Sequence, residues 1–198
     1  MSTILFSLST FVLICLAFVI QEFIPAIQMF YQAQLLIVPV VFFAAAVTLP
    51  FPLMLAAAFF TGFVWDARYQ LHTTPDLSDP FQAGGGVDLI FGYSILLLGI
   101  MGALMQGIRP LFQRGRWELP VLMIGLATLM WLLLELFLIN FRAGDFLFSP
   151  KAFFKATVAS VLSMLVAPII FILFHRVAAL CGYQIRYDGL RNRTYGYR

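Results

Sequence analysis

The chain alternates long apolar runs with short polar breaks. Near-continuous hydrophobicity covers about residues 4–20, 30–49, 53–69, 87–106, 119–141 and 153–181, and a polar tail follows at 182–198. Runs of this length and purity read as membrane helices, not as faces of water-soluble elements. The stretch from Leu35 to Arg68 organises the rest. Its two apolar runs meet at Leu49-Pro50-Phe51-Pro52, and the second closes on Gly62-Phe63-Val64-Trp65-Asp66. A proline-pinned hairpin of this kind suits a bilayer, with small residues turned inward and an acid at the far rim.

The third run is short. Its apolar part, Leu53 to Trp65, makes about 20 Å of helix against a hydrocarbon core of about 30 Å. It must extend through Asp66 and Tyr69, tilt in a thinned bilayer, or be shielded by its neighbours. Pro39 lies inside the second expected helix, and Pro168 predicts a kink in the sixth.

Composition sharpens this picture. The chain has 198 residues, of which 62% are hydrophobic and 11% charged, with mean hydropathy +0.96. Soluble domains carry about 25% charged residues, so this chain cannot cover a water-facing surface. One polytopic membrane domain is expected, with no room for a second, soluble one. Cys15 and Cys181 both fall in or beside apolar runs and read as small core residues. The N-terminus has no basic n-region and no small-residue cleavage site, so the first run is expected to be a retained helix.

Orientation follows from lysine and arginine. Arg109, Arg114, Arg116, Arg176, Arg186, Arg191, Arg193 and Arg198 would lie on one side, and Arg68, Arg142, Lys151 and Lys155 on the other. The positive-inside bias puts the first group in the cytoplasm. If the second and third runs both cross, there are six helices and both termini are cytoplasmic. Tyr31, Trp65, Tyr69 and Tyr93 then mark the outer interface and Trp117 the inner one.

Small residues recur in stripes: Ala58, Gly62 and Asp66; Gly92, Gly99, Ala103 and Gln106; Ala156, Ser160, Ser163 and Ala167. Such stripes let helices approach closely, either within the bundle or against a partner. Acids gather toward the expected outer leaflet. Asp66 ends the third run, Asp88 opens the fourth, and Glu135 sits deepest, on a face shared with Thr128, Trp131 and Arg142. A carboxylate at the bilayer centre costs about 2.5–3.5 kcal/mol, so Glu135 is expected to be paired or neutral. It reads either as part of a polar pocket or relay, or as a structural ion pair with Arg142. His72, Asp76 and Asp79 match no strong metal-ligand spacing, and no metal or cofactor is expected. No nucleophile elbow, zinc-protease motif or Walker loop is present, and Gly84-Gly85-Gly86 follows no strand. An enzyme is therefore not expected, nor a nucleic-acid partner. The tail arginines suit topology and anionic lipid equally.

One resemblance emerges from these residues. A proline-bearing helix, then a helix closing on G-x-x-x-D (Gly62 to Asp66), then a glycine opening the next helix (Gly86) resembles the bacterial rod-shape-determining MreD family. The basic turn, the acid-bearing fifth run and the basic end of the sixth are similar as well. The resemblance covers about Leu35 to Arg176. It implies an all-α six-helix membrane bundle similar to the S component of energy-coupling-factor transporters. It also implies a non-enzymatic subunit of the cell-elongation machinery in the bacterial inner membrane. The family works with MreC, with the rod-system glycosyltransferase and transpeptidase, and with the MreB filament. Gly62, Asp66 and Gly86 are the motif positions. The alternative is a small-molecule carrier of the S-component type. The A-x-x-x-A docking stripe that such carriers often have on their first helix is missing from residues 4–20.

Overall fold

The structure, a computed structural model, describes residues 2–27, 33–71, 91–109, 118–143 and 150–185; the side chains of 69–71, 118, 142 and 143 fall outside that description. Six helices make up nearly all of it: α1 Ser2–Phe23, α2 Ile37–Thr48, α3 Phe51–Leu71, α4 Tyr93–Gly107, α5 Glu118–Ala143 and α6 Pro150–Leu180. The described residues contain no strand, only one isolated antiparallel bridge between Ile27 and Ala33.

The bundle is built around its shortest helix. α2 touches all five others, which surround it in the order α1, α3, α4, α5, α6, with α6 returning to α1. Every residue from Val38 to Thr48 is buried. A helix that is apolar on all sides finds its lowest free energy at the centre, where no face meets headgroups or water. Its 12 residues make about 18 Å, so it falls well short of the bilayer core on its own.

The second apolar run predicted helix from about residue 30. Residues 28–32 lie outside the described part, but 33–36 are not helical, and the helix begins at Ile37. Backbone pairing holds the segment before it, with the Ile27 N–H donating to the Ala33 carbonyl at 2.9 Å. Gln34 Nε2 donates to the Ile24 carbonyl at 2.7 Å. Pro39 therefore falls in the first turn of α2, where its missing N–H is no loss. Leu49 ends α2 in an extended conformation (φ −82°, ψ 152°), as a residue before proline prefers. Pro52 then sits in the first turn of α3.

The third run takes the first of its three expected courses. α3 continues through Asp66 and Arg68, and its 21 residues make about 32 Å. α4 begins at Tyr93 and not near Val87; residues 72–90 lie outside the described part, and 91–92 form a turn. α6 runs as one helix through Pro168.

Consecutive helices alternate in direction. At one end, called proximal here, Phe6 of α1 stacks on Tyr183 beyond α6, with ring centroids 4.5 Å apart and planes within 8°. Ser9 Oγ lies 3.8 Å from Cys181 Sγ at the same end. Both extremities of the described chain thus share one side. α1, α5 and α6 are each long and apolar enough to cross a membrane. Their outward faces are apolar: Ile4, Leu8 and Val12 on α1, and Leu165, Ile169 and Ile172 on α6, are all more than half exposed. Surface of this kind suits contact with lipid.

Candidate functional site

The G-x-x-x-D motif of α3 is a lock on the start of α4. Four residues apart, Gly62 and Asp66 share one helical face. A Cβ placed on Gly62 would sit 2.5 Å from both the Cα and the N of Ile95, so only glycine admits the α4 backbone. One turn on, Asp66 Oδ2 accepts from the Gly92 N–H at 2.7 Å and the Ser94 N–H at 3.3 Å. Gly92 precedes α4 in the left-handed region (φ 98°) and has no side chain to cap the helix. Asp66 supplies that cap from the neighbouring helix. Its carboxylate faces the positive end of the α4 dipole, and the residue is 9% exposed. The two motif residues are thus turned inward, where the sequence reading had offered them to a partner as readily as to a neighbour.

Of the other motif and acidic positions, Gly86 and Asp88 lie outside the described residues, as do His72, Asp76 and Asp79. Arg142 lies in α5, but its side chain is outside the description, so its pairing with Glu135 stays an expectation. Glu135 belongs to the inward stripe of α5 that also carries Ile124, Thr128 and Trp131, all three of them buried. It comes close enough to Tyr93 to act on it electrostatically, as does Asp66. Tyr93 Oη donates to the Leu134 carbonyl at 3.2 Å, which ties α4 to α5. Trp65 meets Trp131 edge-to-face at 5.2 Å and 75°, and it touches Phe18 of α1 at 6.3 Å. The distal half of the bundle therefore has an interior of aromatic and polar side chains drawn from α1, α3, α4 and α5. At its rim Arg68 Nε pairs with Glu22 Oε1 at 2.6 Å, across α1 and α3.

Four further polar residues serve α2. Gln21, just beyond the first apolar run, is 1% exposed. Its amide grips the entry to α2 from both sides: Nε2 donates to the Leu35 carbonyl, and Oε1 accepts from the Ile37 N–H, each at 2.7 Å. At the other end Gln106 Nε2 donates to the Ala46 and Leu49 carbonyls, each at 2.9 Å. Arg109, counted only as a topology signal, donates to the same two carbonyls and is 7% exposed. Tyr183 Oη donates to the Thr48 carbonyl at 3.3 Å. The last carbonyls of a buried helix must find donors, and a cation there also opposes the negative end of the dipole. The available signal was a lone amide or guanidinium inside or beside an apolar run.

The stripes of small residues divide. Ala156, Ser160, Ser163 and Ala167 are all buried, and Ser160 Oγ donates to the Gly125 carbonyl at 2.6 Å, so this stripe joins α6 to α5. On α4 the stripe is not one packing face. A Cβ on Gly99 would meet nothing within 4 Å, whereas one on Gly102, outside the stripe, would meet Met54 Sδ at 2.6 Å.

What this arrangement does chemically is hold helix ends. Carboxylate, amide, guanidinium and phenol groups each satisfy backbone atoms that lipid could not. No protein-family model, no curated protein and no solved structure matches this chain.

Proposed function

We propose that this chain is an MreD-like, non-enzymatic membrane subunit of the bacterial cell-elongation machinery, acting by binding MreC and other membrane proteins of wall synthesis. On this reading it is a multi-pass protein of the inner membrane with six crossings and both termini cytoplasmic. Its fold would be similar to that of an S component, and MreB would be a further partner on the cytoplasmic side. The observation that carries the reading is the G-x-x-x-D motif. In this chain it joins α3 to α4 through Gly62 against Ile95 and Asp66 on Gly92 and Ser94.

The experiment is co-purification with MreC from mild detergent, together with depletion in a rod-shaped host. Recovery of MreC and rounding of the depleted cells are expected. Gly62→Leu is not a clean interface variant, because the side chain would drive α4 away. Exposed positions such as Phe59 and Leu165 are the ones to vary. No MreC recovery, with tight binding of a vitamin-sized ligand, would replace this reading by the carrier. One observation favours that second reading: Trp65, Trp131, Tyr93 and Glu135 come together in the distal interior, residue types that small-molecule sites use.

A further inference from the structure

Among the described residues, Thr61 Oγ1 on α3 and Trp131 Nε1 on α5 are buried without a hydrogen-bond partner. Thr61 is 0% exposed and Trp131 1%. The two belong to one locality. Thr61 lies one turn before Trp65 on the inward face of α3, and Trp65 packs edge-to-face on Trp131. α3 and α5 hardly touch through their backbones; α4 lies between them in the ring. The space between them is therefore spanned by side chains.

Thr10, Thr48, Thr128 and Ser163 all return their hydroxyls to a carbonyl of their own helix. Thr61 does not. An indole N–H can only donate, so Trp131 calls for an acceptor. A threonine hydroxyl both donates and accepts. Each such group buried without a partner costs about 1–3 kcal/mol, and lipid offers no substitute.

We infer that Thr61 and Trp131 together hold one enclosed water molecule between α3 and α5. Its oxygen accepts from the Trp131 N–H and shares a further hydrogen bond with the Thr61 hydroxyl. A buried water makes about three such bonds, and Glu135, one turn beyond Trp131 on the same stripe, is the next polar side chain in line. The water is a bound component of the distal interior and links two helices that have little direct contact. The inference is independent of the partner-binding reading, since neither MreC nor a carried ligand enters it.

The test is a water–protein Overhauser measurement on the full chain, indole-15N-labelled, in deuterated detergent micelles. Trp65, Trp117 and Trp131 give three indole N–H signals, and loss of one in Trp131→Phe assigns it. The Trp131 proton should show a cross-peak at the water frequency despite its burial. Thr61→Val, nearly the same shape without the hydroxyl, should abolish that cross-peak, and Thr61→Ser should retain it. Thr61→Ala serves beside Thr61→Val as a second deletion. Absence of the cross-peak in the wild type overturns the inference. So does its survival at full intensity in both deletion variants, which would mean that Thr61 is not a partner.

Discussion

Gly62→Ala tests the α3–α4 lock most directly. The added methyl carbon would lie 2.5 Å from the Ile95 backbone, where ordinary contact begins at 3.4 Å. The obstructing atoms are main chain, so no rotamer change relieves the clash, and the helices must part locally by about 1 Å. Overpacking of this kind costs about 1–3 kcal/mol. The separation also acts on Asp66. Its bond to the Ser94 N–H is already 3.3 Å and would be lost, and that to the Gly92 N–H, now 2.7 Å, would be stretched. Hydrogen bonds to a charged group are worth about 1.5–3 kcal/mol. Against this, alanine gains about 1 kcal/mol over glycine as a helix former. The net expectation is a loss of about 2–4 kcal/mol.

Asp66→Asn, which keeps the shape but removes the charge at the α4 N-terminus, should cost about 1 kcal/mol. Because both residues act on one contact, the double variant should lose less than the sum, with a coupling of about 0.5–3 kcal/mol. Unfolding in mixed micelles, followed by tryptophan fluorescence, measures all four corners of the cycle. Gly62→Ala within about 0.5 kcal/mol of wild type, or strict additivity, would refute the account of the motif as a lock.

The other expectations are simpler. Gly125→Ala should cost less than Gly62→Ala, because its Cβ would meet the flexible Met164 side chain (Cγ at 2.2 Å), while Gly99→Ala should be neutral or stabilising by up to about 1 kcal/mol; the same unfolding assay ranks them. Gln21→Leu leaves the Leu35 carbonyl and the Ile37 N–H without their amide, and should cost about 2–4 kcal/mol and speed hydrogen exchange at Ile37. Cysteines placed at Ser2 and Tyr197 should be shielded from an impermeant reagent in intact cells and one at Asp79 labelled; labelling at Ser2 from outside would overturn the six-crossing topology.

Much of the architecture was legible because long apolar runs are a simple code. Apolar length alone located six helices, and Pro50 and Pro52 marked the hairpin because proline acts locally. The start of α2 was not legible. Ala33, Leu35 and Leu36 continue the apolar run with Gln34 its one polar residue, and hydropathy does not distinguish a buried helix from a buried extended segment. What fixes the boundary is Gln21, 16 residues away, whose amide bonds the Ile37 N–H. The stripes show the same limit. Gly62 and Gly99 look alike in sequence, yet one lies against a backbone and the other against open space. Spacing tells which residues share a face, but not what that face meets.

Asp66 carries the point furthest. Its place at the end of an apolar run suggested an acid at the membrane rim, solvated or offered to a neighbour. In the fold it caps α4 because Gly92 has no side chain to do so, and Gly62 brings the two helices close enough for the carboxylate to reach. The glycine and the acid are therefore one device, and neither explains the other until α4 is in place. The same holds at the far end of the bundle, where Gln106 and Arg109 finish α2 at a sequence distance of about 60 residues. In a bundle as apolar as this one, every buried helix end has to be closed by protein. A lone polar residue in an apolar run is thus first a candidate cap for some other helix. Thr61 and Trp131, which close no helix end and have no partner among the described residues, are where a bound water is to be sought.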